Sequence, residues 1–547
     1  MQTKHTRARG RHEGPKCSLF VKRTLAITLS AILVAPTFAN VPSQTSSRSY
    51  TSDGQLDEID GPRTDVNDIT DYNYDENTHL LTEIVRGKGD INLRQQLLNP
   101  NVLGKPQTLR DANNVETHIK YHDRGWVEEI TLQDPGGDTT KNSVTVLHYD
   151  DVGQITCREA ANGVKTLYQY TDAHYLESTI VGASDCDASL NSTGHLLRYE
   201  YNNTGDITAT RYYSGPTDNA VIVYQNSVAY DELRREMDIH GNDGQHSHID
   251  YDANGFASKQ TDTVNTHGDT RETHFTPDGL GRLKNTTDAL QGSTQISYDA
   301  AGNVHTVTDA RSNTTTYTYD AYGNLQSLSS PDTGYTQYVY DAANNLTVET
   351  DGRQVTREFS YDALNRLTAT TYPAAPNENV VYHYDDYSMD AQNADPAEVN
   401  AYPAGRLTGF DYEFGTSRYY YDHRGNITKQ KDIIEGSLYE THYTYRLDDQ
   451  ISTMTYPDGI LVSYSYNSLG QVNGIDAHYQ GVNDSSAATH TLIADVSYMP
   501  YGPEEDVTFG SGIKVDRSFD LDYRLSNVKI GPASGTPIVD QNYTYSP

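Results

Sequence analysis

One short phrase returns along the middle of the chain with an unbroken period. It reads PDGLGRL from Pro277, YDAAGNV from Tyr298, YDAYGNL from Tyr319, YDAANNL from Tyr340 and YDALNRL from Tyr361, so the first residues stand 21 apart four times running. A fixed period of this length means a repeat architecture, in which each unit buries its apolar face only by stacking on its neighbours. With the Tyr as position 1, Asp stands at 2, Gly or Asn at 5 and an aliphatic residue at 7. A second Asp recurs at 12 (Asp288, Asp309, Asp351), and a ring at 20 (Tyr317, Tyr338, Phe359). The positions that define the unit are Tyr298, Asp299, Gly302, Tyr319, Asp320, Gly323, Tyr340, Asp341, Tyr361 and Asp362.

Each unit carries two turn signals. In the first, Asp can bond its own backbone, while Gly or Asn accepts the positive φ of a tight hairpin. The second falls at positions 12 to 16 and ends on Gly292, Asn313 or Gly334. Between the turns lie runs of about five residues that alternate ring or aliphatic with hydroxyl, as in Tyr317, Thr318, Tyr319, which is the pattern of a half-buried strand. The fold class is therefore all-β, a tandem array of hairpins. Degenerate frames extend the array, with position 1 at Tyr74, Pro100, Tyr121, Tyr149, Tyr170, Tyr201, Tyr230 and Tyr251 before the regular block. After it the frames start at Tyr421, Tyr445, Tyr466, Tyr498 and Phe519.

The YDAxGN phrase at this period resembles the YD repeat of the bacterial Rhs family, shared with shell components of Tc toxins and with teneurins. The resemblance covers residues 74–547. It implies a spiralling antiparallel sheet that forms a hollow shell, which in secreted members encloses a C-terminal toxin. Members also carry an Asp-Pro-x-Gly-Leu self-cleavage element. Here Asp134, Pro135, Gly136, Gly137 lacks the Leu and lies near the wrong end of the chain, and Asp395, Pro396 is followed by Ala and Glu. No catalytic residue is carried over.

Residues 1–39 read as a signal peptide. A basic stretch with Lys16, Lys22 and Arg23 precedes an apolar run from Leu25 to Val34, with small residues ending at Ala39. The run falls short of the roughly 20 residues needed to span a bilayer, so export without a transmembrane anchor is expected. Seven of the 41 basic and one of the 75 acidic residues lie there, so its removal leaves 34 against 74, a net charge of −40. Such a surface repels phosphate backbones and argues against nucleic acid as a partner. Residues 40–73 read as a leader or degenerate repeat, and 74–547 as the array. The final Tyr543 to Pro547 opens another unit, which leads to the expectation of an array incomplete at its C-terminus or continued by a partner chain.

Chemistry-bearing motifs are sparse. No HExxH, GxSxG or P-loop occurs, Gly510, Ser511, Gly512 has the wrong spacing, and no enzyme or cofactor is assigned. His240, His246 and His248 sit in a Gly, Asn, Asp loop and are candidates for metal ligation, but the sequence places no acidic or Cys partner beside them, so no metal site is assigned. Cys157 and Cys186 remain after cleavage. In an oxidising compartment a disulfide is open to them, as are two buried thiols or a metal pair.

The expected function is a secreted structural shell, or shell segment, of a polymorphic-toxin or cell-contact system. Its partners would be a continuing or partner YD chain, or a toxin cargo. The alternatives are a module that binds cell-surface glycans through exposed tyrosines and an inactive fragment. Roughly 36 strands at about 4.8 Å make a ribbon near 170 Å long, and two turns of it give a diameter of only about 27 Å. A narrow, partial shell is the expectation.

Overall fold

In a computed structural model the described residues are 44–187, 193–241, 244–263, 270–387, 402–479, 488–520 and 523–545. The signal-peptide reading of residues 1–39 and the insertion Ser388 to Ala401, with Asp395 and Pro396, lie outside them. The described residues form one sheet of 41 strands, from β1 (Ser47–Tyr50) to β41 (Val539–Asn542). Each strand pairs antiparallel with the next in sequence. The sheet already includes β1 and β2 (Leu56–Asp60), within the segment read as leader or degenerate repeat. Among the described residues no helix is long and apolar enough to cross a membrane.

The repeat frame maps onto the strands one for one. The strands ending on Tyr298, Tyr319, Tyr340 and Tyr361 are followed by the Asp turn, and position 1 of every degenerate frame likewise ends a strand, although position 2 there is often another residue, as at Asn101, Thr171 and Met499. Two frames were missed: Tyr50 and Tyr384 also end strands.

One irregularity recurs in every regular unit. Ser297 pairs with Thr306, but the next residue, Tyr298, pairs with Val304, so His305 is an extra residue. The same step sets Gln326, Thr347 and Thr368 apart. A bulge bends its strand and increases the right-handed twist. Repeated at the same edge of the ribbon in each unit, it makes the sheet coil.

The coil closes on itself at a nearly constant sequence distance. Asn113 bonds Ala404, Ser143 bonds Leu447 and Asn162 bonds Asp448, at separations of 291, 304 and 286 residues. That span corresponds to about 24 strands, so one turn has a circumference of about 115 Å and a diameter of about 37 Å, and the 41 strands make about 1.7 turns. The chain is thus wound more widely than the sequence arithmetic allows. That arithmetic undercounted the strands and assumed two full turns, whereas one bulge per two strands curves the ribbon by only about 15° per strand.

Few residues are fully buried. Among the described residues 16 apolar and 13 polar or charged side chains are, and those least exposed include Thr315, Thr408 and Ser178. A sheet packed against a second layer would bury a whole face of each strand. Here most strand residues on both faces are only half-buried, so the wall is a single layer.

Candidate functional site

The first turn of each unit is a clasp built by the Asp at position 2. Asp299 Oδ1 accepts from the backbone N–H of Ala301 (2.9 Å) and Asn303 (2.8 Å), and its Oδ2 accepts from Asn303 Nδ2 (3.1 Å). Asp320 and Asp341 repeat all three bonds. With both oxygens engaged inside the turn, the Asp acts as a backbone acceptor. Gly302 and Gly323 hold φ of 97° and 89°, and Asn344 and Asn365 take the same left-handed conformation at 67° and 59°. The second turn uses the same device. At Asp309 the Asn313 side chain, then the backbone N–H groups of Asn313 and Arg311, hold the carboxyl below its ordinary value.

Where position 6 is Arg, it does two things. Arg282 and Arg366 grip the clasp carboxylates of Asp278 and Asp362 and lie over the rings of Tyr298 and Tyr384, at 4.2 and 4.4 Å from the centroids. The position-1 hydroxyl supplies the link between units. Tyr298 donates to the Leu283 carbonyl (2.8 Å), Tyr361 to Leu346 (2.9 Å) and Tyr421 to Leu407 (2.6 Å), in each case position 7 of the preceding unit. A tyrosine can therefore cover apolar surface without leaving its hydroxyl unpaired. Burial pushes the Tyr421 hydroxyl up to about 12.

The seam between successive turns of the coil joins two different edges. On the earlier turn the contacts come from the second kind of connection: Arg63, Asn113, Ser143, Asn162 and the backbone near Thr179 and His195. On the later turn they come from the first kind of connection, the turns that follow position 1, and position 4 recurs among them. Asp448 accepts from Asn162 Nδ2 (2.7 Å), and Tyr501 donates to the His195 carbonyl (2.6 Å). Leu469 lies so close to Gly182 that a Cβ there would meet its methyl group at 2.0 Å, and Gly182 has φ +76°. Only glycine fits that point of the seam. Tyr501 and Tyr523 also pack on Tyr212, with centroids 5.1 and 6.3 Å away, and burial raises both hydroxyls.

Among the described residues no such neighbour covers the opposite edge of the earlier turn. There the clasp residues Val102, Leu103, Val152, Leu233 and Leu280 are each more than half exposed. Four of them, Leu103, Val152, Leu233 and Leu280, occupy the same position 4 that makes contact in the seam.

Cys157 and Cys186 are joined as a disulfide, with Cα atoms 5.6 Å apart. The bridge ties the connection after β12 (Leu176–Ala183) onto a small apolar cluster of Leu167, Ile180, Ala183, Leu196 and Tyr213. Asp134 to Gly137 forms an ordinary turn, in which Asp134 accepts the N–H of Gly137 and Asp138. The three histidines differ from their sequence reading. They lie on paired strands, and an acidic partner, Asp238, accepts from His246 Nε2 (2.8 Å) and His248 Nδ1 (2.7 Å).

The turn and strand pattern has a counterpart among known families. The model of the RHS Repeat matches residues 298–335 and 340–377. The chain carries RHS repeats. Its wound sheet is similar to the crystal structure of TcdB2-TccC3 without its hypervariable C-terminal region, at a TM-score of 0.72 and 14% identity over 92% of this chain and 31% of that one. It is likewise similar to TcdB2-TccC3-TEV, at a TM-score of 0.71 and 13% identity over 91% and 31%. A chain of the Tc holotoxin pore of Photorhabdus luminescens matches at 0.61 and 14% identity over 91% and 30%. This RHS-repeat chain thus spans about a third of the length of those it matches, and the likeness is one of fold. Among curated proteins none matches the sequence.

Proposed function

We propose that the protein is an exported structural shell, or shell segment, of a polymorphic-toxin or cell-contact system, with no catalytic domain of its own. The observation that carries this reading is the single-layer sheet of 41 strands closed along a seam. Such a wall encloses space instead of filling it. The similarity in fold to TcdB2-TccC3 supports the same reading. A partner shell chain would meet the free edge of the earlier turn, where Leu233 and Leu280 stand as Leu469 does in the seam. Its complementary surface would be an edge of second-type connections, since that is what the clasps contact within this chain. A toxin polypeptide would be the enclosed cargo.

Electron microscopy of the purified protein should show a hollow, ring-like particle; a solid globule would reject the shell. Leu233→Asp with Leu280→Asp should leave the particle folded, because both side chains face solvent, yet weaken its assembly with a partner shell chain at least tenfold. Unchanged assembly would remove the free edge from the reading.

Export has its own test. Protein recovered from the periplasm or medium should begin at about Asn40 and contain Cys157 linked to Cys186, a link worth roughly 3 to 4 kcal/mol on the loop-entropy account. Intact mass with thiol labelling checks both, and two free thiols in the exported protein would reject the disulfide.

A further inference from the structure

We infer that the hairpin of β16 (Glu236–Gly241) and β17 (His246–Tyr251) is a binding site for a divalent first-row transition metal of the zinc class, with Asp238, His240 and His246 as ligands. The register dictates the cluster. Asp238 lies opposite His248, and His240 lies opposite His246. Alternate residues of a strand share a face, so one carboxylate and three imidazoles occupy four neighbouring positions on one face of the sheet. Donor atoms of Asp238, His240 and His246 all lie within 4.8 Å of one another. The imidazoles of His240 and His246 are stacked at 4.4 Å with their planes 6° apart. Ligands at about 2.0 to 2.1 Å in a tetrahedron stand about 3.3 Å from each other, so small side-chain rotations bring the three onto one ion.

The surroundings suit a cation. Asp238 is held below its ordinary value, first by the hydrogen bond from His248 and then by that from His246. Its Oδ1 is 2.8 Å from His246 Nε2, and a metal ion would take the place of the proton they share. His248 donates to the same carboxylate at 2.7 Å and faces Asp250 at 3.3 Å on its other side. It bonds the same Oδ1 that faces His246 and is placed to hold the Asp238 ligand in position, as outer partners of metal ligands do. The cross-strand neighbours are uncharged: Ser227 opposite His240, Ala229 opposite Asp238 and Thr261 opposite His248. Lys259, one pair further along, is held by Asp250 at 3.1 Å. Imidazole nitrogen with one carboxylate selects zinc, copper or nickel over calcium and magnesium, which prefer all-oxygen sets. Three protein ligands leave the fourth position to water or to a donor from another molecule.

A second cluster, His148, Glu159 and Cys186, has comparable spacing. Its sulfur is bonded to Cys157, so it offers no thiolate and carries no site.

The test is titration of the exported protein with Zn²⁺, read by calorimetry, and with Co²⁺, read by its visible ligand-field bands. One equivalent should bind at micromolar or tighter dissociation constant, with no competition from millimolar Ca²⁺ or Mg²⁺. His240→Gln and His246→Gln should each weaken binding at least 100-fold and abolish the tetrahedral Co²⁺ bands. His248→Gln should weaken it about tenfold with the bands retained. All three side chains are partly exposed, and an unchanged circular dichroism spectrum will show that each variant folds. Asp238→Asn, which keeps size and shape, should also weaken binding at least 100-fold. Binding weaker than about 100 μM, or binding unaffected by the His240→Gln, His246→Gln double variant, would overturn the assignment.

Discussion

Tyr340→Asp should destabilise the array by about 3 kcal/mol, whereas Thr318→Asp should cost less than about 1 kcal/mol. The two residues occupy adjacent positions of the repeat on opposite faces of the wall. Burial raises the Tyr340 hydroxyl, and the ring pairs across the strand with Leu346. An aspartate there would place an unpaired charge in a partly apolar site. Thr318 is exposed, and its hydroxyl bonds only that of Ser327 (2.6 Å). A carboxylate at that position stays largely in water, and the cost is one part-buried hydrogen bond. Tyr361→Phe belongs between them. It keeps the ring but loses the bond to the Leu346 carbonyl, so about 1 kcal/mol is expected. Shifts in urea midpoint, with hydrogen exchange at the flanking hairpins, measure the order. Equal losses for Tyr340→Asp and Thr318→Asp would refute the facing of the repeat.

That order was legible because turn chemistry and strand alternation are local. Asp299, Gly302 and Tyr298 each do their work within a few residues or with the preceding unit, so a fixed period writes them into the sequence. Features that depend on register or winding left no comparable trace. The bulge falls on His305, Gln326, Thr347 and Thr368, which are all polar but have no one side chain in common, because an extra residue needs no particular side chain. Position 4 meets the seam as Asp448, Leu469 and Tyr501. Each is fitted to a different stretch of the earlier turn, so no consensus develops. Tyr384 was missed because Asp385, Asp386 and Tyr387 follow it in place of the usual turn phrase. The Asp238 carboxylate could be assigned to the histidines only once β16 and β17 were paired in register.

Arg63→Ala should open the seam at the start of the coil and leave the rest of the array intact. The Arg63 side chain is almost completely enclosed, at 4% exposure, between β2 and the clasps of the later turn. Its guanidinium donates to the carbonyls of Tyr361 (3.1 Å) and Asp362 (2.5 Å), grips Asp65 through Nε and Nη2, and lies 3.5 Å from the Asp341 carboxylate. Removing one partner from a buried charged network leaves acceptors without donors, which typically costs about 3 to 5 kcal/mol. That loss should stay local. Strands β1 and β2 keep their ladder bonds to their neighbours, and the next seam contact, the pair of bonds between Asn113 and Ala404 at 2.8 and 3.0 Å, does not involve Arg63. Hydrogen exchange should therefore quicken roughly 100-fold at residues 44–74 and 341–366, a factor equivalent to about 2.7 kcal/mol of local opening, and remain unchanged at residues 113–320 and beyond Ala404. Arg63→Lys should give a smaller effect of the same kind, since an ammonium restores the charge but cannot span two carbonyls and a carboxylate with one planar fork. Exchange that rises uniformly along all 41 strands would mean that the coil unfolds as one cooperative unit, and exchange that does not rise at all would mean that the seam contributes nothing to closure.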